Sequence, residues 1–175
     1  MEKHIISILV DNKFSVLTRI TSLFSKRGYN IESLSVGVTE NPEFSRITVS
    51  AVGDLYILEQ IIKQLEKLEV VKKVAHMNRD NAVIREFSLI KVKSDNESRT
   101  SIFELANIFR GKIVDVGNEE ITIELTGDEN KIDAFLQLAG THGVLEISRT
   151  GLTALQRGDQ TLYGNKTTPH CCVKQ

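Results

Sequence analysis

The sequence contains no tryptophan and only two prolines in 175 residues, and its two cysteines, Cys171 and Cys172, stand side by side. Neighbouring cysteines in a polar run cannot staple distant segments, so a disulfide framework is excluded and a reducing compartment is expected. An excess of charge is lacking too: 22 Lys and Arg meet 23 Asp and Glu, for a formal net charge of -1. That balance supplies no long-range field, so neither nucleic acid nor an anionic membrane is expected as a partner. Long apolar runs are absent. The run IISILV, with charges on both sides, is too short for a secretory signal and far too short to span a bilayer, so a soluble protein is expected.

The motifs of catalysis are missing as well. His4, His76, His142 and His170 are scattered, none at metal-ligand spacing from another histidine or from paired carboxylates on one helix face. There is no GxGxxG, no GxxxxGK[ST] and no GxSxG. No catalytic residue, metal ligand or cofactor is therefore assigned to this chain. His170 beside Cys171 and Cys172 has the composition of a thiol cluster, but the polar run around it offers no fixed geometry, and it is read as an uncommitted tail.

What is present is a repeat. His4–Val10 has the β-branched content and length of a strand, and Val16, Leu17, Ile20, Leu23 and Phe24 then fall at helical spacing up to Gly28. Leu34, Val36 and Val38, and after the Asn41-Pro42 turn Ile47, Val49 and Ala51, alternate as two strands of a hairpin. Asp54 can cap a helix with Leu55, Leu58, Ile61, Ile62, Leu65 and Leu68 on one face, and Val70–Val74 adds a last strand. The order is βαββαβ. It recurs as Phe87–Val92, a helix through Ile102, Leu105, Ala106 and Phe109, Ile113–Val116, Ile121–Leu125, a helix capped by Asp128, and Leu145–Ile147. Phe109-Arg110-Gly111 echoes Phe24 with Arg27-Gly28, and Gly127-Asp128 echoes Gly53-Asp54.

The fold class is thus α+β. Two four-stranded antiparallel sheets are expected, each with two helices on one face and an open second face suited to pairing with another copy. The predicted boundaries are a first domain at 1–77, a linker at 78–84, a second domain at 85–157 and a flexible tail at 158–175.

One place could receive a ligand. The turn Asp11-Asn12-Lys13-Phe14-Ser15 runs into the first helix, where the unpaired amides of Ser15, Val16 and Leu17 suit a carboxylate. Asn12 could meet an ammonium group, and Val16 with Ile31 could offer an aliphatic slot, the needs of a free amino acid. On sequence alone the same residues read more simply as a turn at Asn12 and a helix cap at Ser15.

The string Ser22-Leu23-Phe24-Ser25-Lys26-Arg27-Gly28-Tyr29-Asn30-Ile31-Glu32-Ser33-Leu34 resembles that of acetolactate synthase (acetohydroxyacid synthase) small subunits. Ser45-Arg46-Ile47-Thr48, Leu58-Glu59-Gln60, Lys63-Gln64-Leu65, Phe109-Arg110-Gly111 and Ser148-Arg149-Thr150-Gly151 match in order, so the resemblance covers about residues 4 to 157. It implies two ferredoxin-like modules, an N-terminal ACT domain that forms a homodimer and a related second domain. It implies a regulatory subunit without chemistry of its own, which activates a separate catalytic large subunit carrying thiamine diphosphate, Mg and FAD, in cytoplasm or plastid stroma. It implies valine as effector in branched-chain amino-acid biosynthesis, held by Asn12, Ser15, Val16 and Leu17 of one subunit and Asn30 and Ile31 of the other. The family's turn usually carries glycine, often after proline, where this chain has Ser15 after Phe14. A Cβ there is expected to crowd the carboxylate or tighten the turn.

Two other classes share part of this pattern. An RNA-recognition module shares the strand order but stacks bases on aromatic residues of its central strands, and HIISILV and SRITVSAV contain none. A free-standing amino-acid sensor differs from the leading reading only in lacking an enzyme partner.

Overall fold

The computed structural model describes residues 2–26 and 28–163. The chain forms β1 (Glu2–Asp11), α1 (Val16–Lys26), β2 (Ile31–Val38), β3 (Phe44–Gly53), α2 (Leu55–Leu65), β4 (Val71–His76) and β5 (Ala82–Lys93). It continues with α3 (Arg99–Ile108), β6 (Lys112–Val116), β7 (Glu120–Gly127), α4 (Glu129–Ala139), β8 (Val144–Arg149) and the short β9 (Thr153–Gln156). The described residues form two compact units: residues 2–84 with 152–163, and residues 85–151.

The first sheet has strand order β2-β3-β1-β4, and the second repeats it as β6-β7-β5-β8, with every pairing along these two paths antiparallel and with β9 added beside β5 as a fifth strand where four were expected. The twofold βαββαβ reading is therefore what the chain builds. In the first unit Ile6, Ile8 and Val10 of β1 pack with Ile47, Val49 and Ala51 of β3 against Ile20 and Phe24 of α1 and Leu58, Ile61 and Leu65 of α2. In the second, Ile90, Val92, Ile121, Ile123 and Leu125 meet Ile102 and Ala106 of α3 and Ile132 and Phe135 of α4. Each fully buried large apolar side chain contributes about 1.5–3 kcal/mol relative to an exposed one, so these layers dominate both units.

The repeated Gly-Asp pairs have one cause. Asp54 accepts from the Ile57 amide at 2.8 Å and Asp128 from the Lys131 amide at 2.9 Å, capping α2 and α4 alike. The preceding glycine lets the strand end pass close to that first turn. A Cβ on Gly53 would stand 2.8 Å from Ile57 Cγ2, and one on Gly127 would stand 2.5 Å from Lys131 Cδ.

The division of the chain differs from the sequence-based one in two respects. Ala82 and Ile84, expected in a linker, are buried as the start of β5, and residues 152–163, expected to split between the second domain and the tail, fold with the first unit. The reason is a second apolar cluster. Ile5 and Leu9, on the face of β1 turned away from the helices, pack with Met77, Ala82, Ile84, Leu152, Ala154 and Leu162. That sheet face, expected to be open, is thus covered over β1 by the chain's own return. Arg46 fastens the cover by donating to the Ala154 carbonyl at 3.1 Å, the Leu152 amide donates to Ser33 Oγ at 3.4 Å, and the Tyr163 hydroxyl donates to Thr39 Oγ1 at 3.0 Å. The rest of the expected tail, with His170, Cys171 and Cys172, lies outside the described residues.

One histidine pair is expected to give the first unit a pH dependence. His4 is buried with no hydrogen-bond partner for Nε2 among the described residues, and its ring lies edge-on to His76 with centroids 5.5 Å apart. Partial desolvation first, and the neighbouring His4 second, hold the pKa of His76, which stays exposed at the end of β4, below the ordinary 6.5. The unfolded chain takes up a proton on His76 near 6.5 that the folded chain refuses until lower pH. Stability is therefore expected to fall as pH drops below about 6.5, and His76→Gln to flatten that slope in denaturant titrations at a series of pH values.

Candidate effector site

The β1–α1 turn is held from both sides. The Lys72 ammonium, 3.1 Å from Asp11, and then Lys13 at 3.4 Å keep the Asp11 carboxyl below the usual carboxylate range. Asn12 is tied to the β2–β3 turn three ways: its amide donates to the Glu43 carbonyl at 2.7 Å, Nδ2 donates to the Pro42 carbonyl at 2.9 Å, and Oδ1 accepts from Ser45 Oγ at 3.1 Å. Asn12 is thus a fixed strut, with a second lone pair on Oδ1 to offer a cation.

Ser15 adopts φ +67°, the left-handed region, and its carbonyl accepts the first helical bond, from the Arg19 amide at 3.1 Å. The residue that replaces glycine has therefore kept glycine's backbone, at a cost of roughly 1–2 kcal/mol for its Cβ. Ser15→Gly is expected to raise stability by about 1 kcal/mol, read as a higher denaturant midpoint at unchanged slope. A drop in midpoint would show that the serine side chain holds the turn.

Of the first-turn amides, that of Val16 returns to the Lys13 carbonyl at 3.4 Å. Those of Leu17 and Thr18 precede any i−4 acceptor and point out of the helix start, where the dipole favours an anion. The Val16 side chain, 5 % exposed, belongs to the core and backs the turn, whereas Leu17 is 40 % and Phe14 98 % exposed.

The other predicted residues lie elsewhere. Asn30 is exposed and Ile31 half-buried against the core at the start of β2. Ile31 stands opposite Ala51 on β3, while Asp11 stands opposite Phe44 at the far end of the same strand. Phe44 and Ala51 are seven positions apart along β3, a span of about 23 Å. Asn12 with Ser15 and Asn30 with Ile31 therefore stand at opposite ends of one sheet, and a single chain does not bring them together. Both flank β2, an edge strand whose Val36 and Val38 are 47 % and 61 % exposed.

Sequence reasoning passed over a groove of about 490 Å³ between α1 and α2, lined by Ser15, Thr18, Arg19, Ser22, Leu23, Lys26, Gln64 and Leu68. Its signal was available: from Asn12 to Ile31 there is no acidic residue, the longest such stretch in the chain. Among the described residues no three His, Cys, Asp or Glu gather as a metal site, and no helix is long and apolar enough to cross a membrane.

Two family models match the chain: "AHAS small subunit-like ACT domain" over residues 6–73 and "Small subunit of acetolactate synthase" over residues 85–158. A probable acetolactate synthase small subunit of Methanothermobacter thermautotrophicus is 48 % identical over 162 residues, covering 92 % of this chain and 96 % of that one. The acetolactate synthase small subunit of Mycolicibacterium smegmatis is 46 % identical over 163 residues, covering 93 % and 96 %. The crystal structure of the acetolactate synthase small subunit from Thermotoga maritima superposes with a TM-score of 0.85 at 43 % identity, covering 91 % of this chain and all of that one.

Proposed function

The chain belongs to the acetolactate synthase small-subunit family, and we propose that it binds and activates a separate catalytic large subunit while sensing valine for branched-chain amino-acid biosynthesis. On this reading the condensation chemistry, with thiamine diphosphate, Mg and FAD, resides in the large subunit, and both work in the cytoplasm or a plastid stroma. The observation that carries the sensing role is the division of the site. Two half-sites about 23 Å apart on one sheet close into whole sites only when a second copy is set against the first in the opposite sense. The edge strand β2, with exposed Val36 and Val38, lies between them and suits that pairing. The opposite face of the sheet does not, because Leu152, Ala154 and Leu162 cover it.

Each whole site then has a division of labour. The Leu17 and Thr18 amides meet the carboxylate, Asn12 Oδ1 meets the ammonium, and Asn30 and Ile31 of the second copy close over the aliphatic side chain. An effector that bridges two copies binds the paired state alone, and that differential affinity lets it shift the complex toward a less active arrangement. The Ser15 Cβ stands beside the carboxylate position and sets how closely the ligand approaches.

Acetolactate formation by the cognate large subunit, with and without this chain and with millimolar valine, tests both halves. Activation with inhibition is the expected result, and Asn30→His is expected to abolish the valine response while leaving activation intact. Activation without inhibition removes the effector role and makes Ser15→Gly the variant to assay next. Absence of activation overturns the regulatory reading and leaves a free-standing sensor.

A further inference from the structure

We infer that the groove between α1 and α2 docks an acidic segment of the catalytic large subunit. This rests on the regulatory reading, which supplies the partner, but it is carried by the charge and shape of the groove. Arg19 and Lys26 lie seven residues apart on α1, about 10 Å along the helix axis, and both line the groove. Both are exposed, and neither makes an ion pair or side-chain hydrogen bond among the described residues.

Nothing nearby on α1 neutralises them, because no carboxylate occurs between Asp11 and Glu32. Across the groove stand Gln64 of α2 and Leu68 of the turn that follows it, while Glu59 and Lys63 of α2 pair with each other at 3.5 Å. The lining also holds the apolar Leu23 and Leu68 and, on the side of α1, the small hydroxylic Ser15, Thr18 and Ser22. A wall of small side chains admits close approach of a backbone.

The complementary occupant is a segment with two carboxylates about 10 Å apart, seven residues on a helix or three in extended chain, flanking one aliphatic side chain that covers Leu23 and Leu68. Rim charges of this kind govern association rate and salt dependence, and the apolar centre governs dissociation.

The test measures affinity of the large subunit for the full chain at low and high salt. Wild type is the positive control; if it does not bind, the regulatory reading fails and the docking falls with it. With wild type bound, Arg19→Glu with Lys26→Glu is expected to weaken affinity at least tenfold and flatten its salt dependence. Arg19→Gln with Lys26→Gln is expected to give a smaller loss in the same direction. Lys93→Glu with Lys112→Glu, equal in net charge and located in the other unit, is expected to leave affinity near wild type. Equal loss in both charge-reversed pairs would reduce the effect to net charge and overturn the docking site. So would wild-type affinity in the groove variants, or a change confined to self-association of the chain.

Discussion

Arg149→Ala is expected to destabilise the second unit by about 3–5 kcal/mol. Arg149 grips Glu86 with both arms of the guanidinium, Nε to Oε1 at 3.0 Å and Nη2 to Oε2 at 2.6 Å, and Glu86 is 4 % exposed. Removing the arginine leaves a carboxylate without its partner on the helix side of β5, where desolvation dominates. The third contact, Nη1 to Asp133 at 3.1 Å, reaches a carboxylate 60 % exposed, so Asp133→Ala is expected to cost no more than about 1 kcal/mol. Glu86→Leu with Arg149→Met is expected to recover most of the loss, because both charges then leave together. The check is amide exchange in β5, β7 and β8 at increasing denaturant. A cost under 1 kcal/mol for Arg149→Ala would mean that water reaches Glu86 in solution.

The same residue shows where sequence reading stops. Ser148-Arg149-Thr150-Gly151 was legible as a family string, but its reason is not local. Arg149 and Thr150 each bond 63 residues back, to Glu86 and to both backbone groups of Phe87. The core was legible because burial imposes a period: Ile6, Ile8 and Val10, or Ile20 with Phe24, announce which side faces inward. The caps at Asp54 and Asp128 were legible because donor and acceptor lie three residues apart. The echo of Arg27-Gly28 in Arg110-Gly111 misleads in one detail. Gly28 takes the left-handed conformation, φ +69°, but in the second unit Arg110 takes it, φ +53°. Gly111 is needed for another reason, since a Cβ there would stand 3.0 Å from Ile123 Cγ2. At the candidate site the turn was legible and its rigidity was not. Asn12 is held by Pro42 and Ser45, 30 and 33 residues away.

Least legible was the return of residues 152–163, and its removal is expected to have the other large effect. Leu152 and Leu162 are each 2 % exposed, yet they sit in a stretch with no period, around a strand of only four residues. Their burial is decided by Ile5 and Leu9 on the far side of β1, which have no helix to cover them. Leu152→Ala and Leu162→Ala are each expected to cost about 2–5 kcal/mol, the range for leucines deleted from a packed core. The loss should fall on the first unit although the segment follows the second in sequence. Amide exchange is expected to accelerate in β1, β3 and β4 while β6 and β7 keep their protection. Acceleration in β6 and β7 alone would return these residues to the second domain. The functional consequence runs through the same face: once Ile5 and Leu9 are bare, a second copy can stack on the sheet as well as pair along β2. The double variant is therefore expected to self-associate beyond wild type in sedimentation, and any valine response to weaken because copies stacked face to face do not join the half-sites at Asn12 and Asn30.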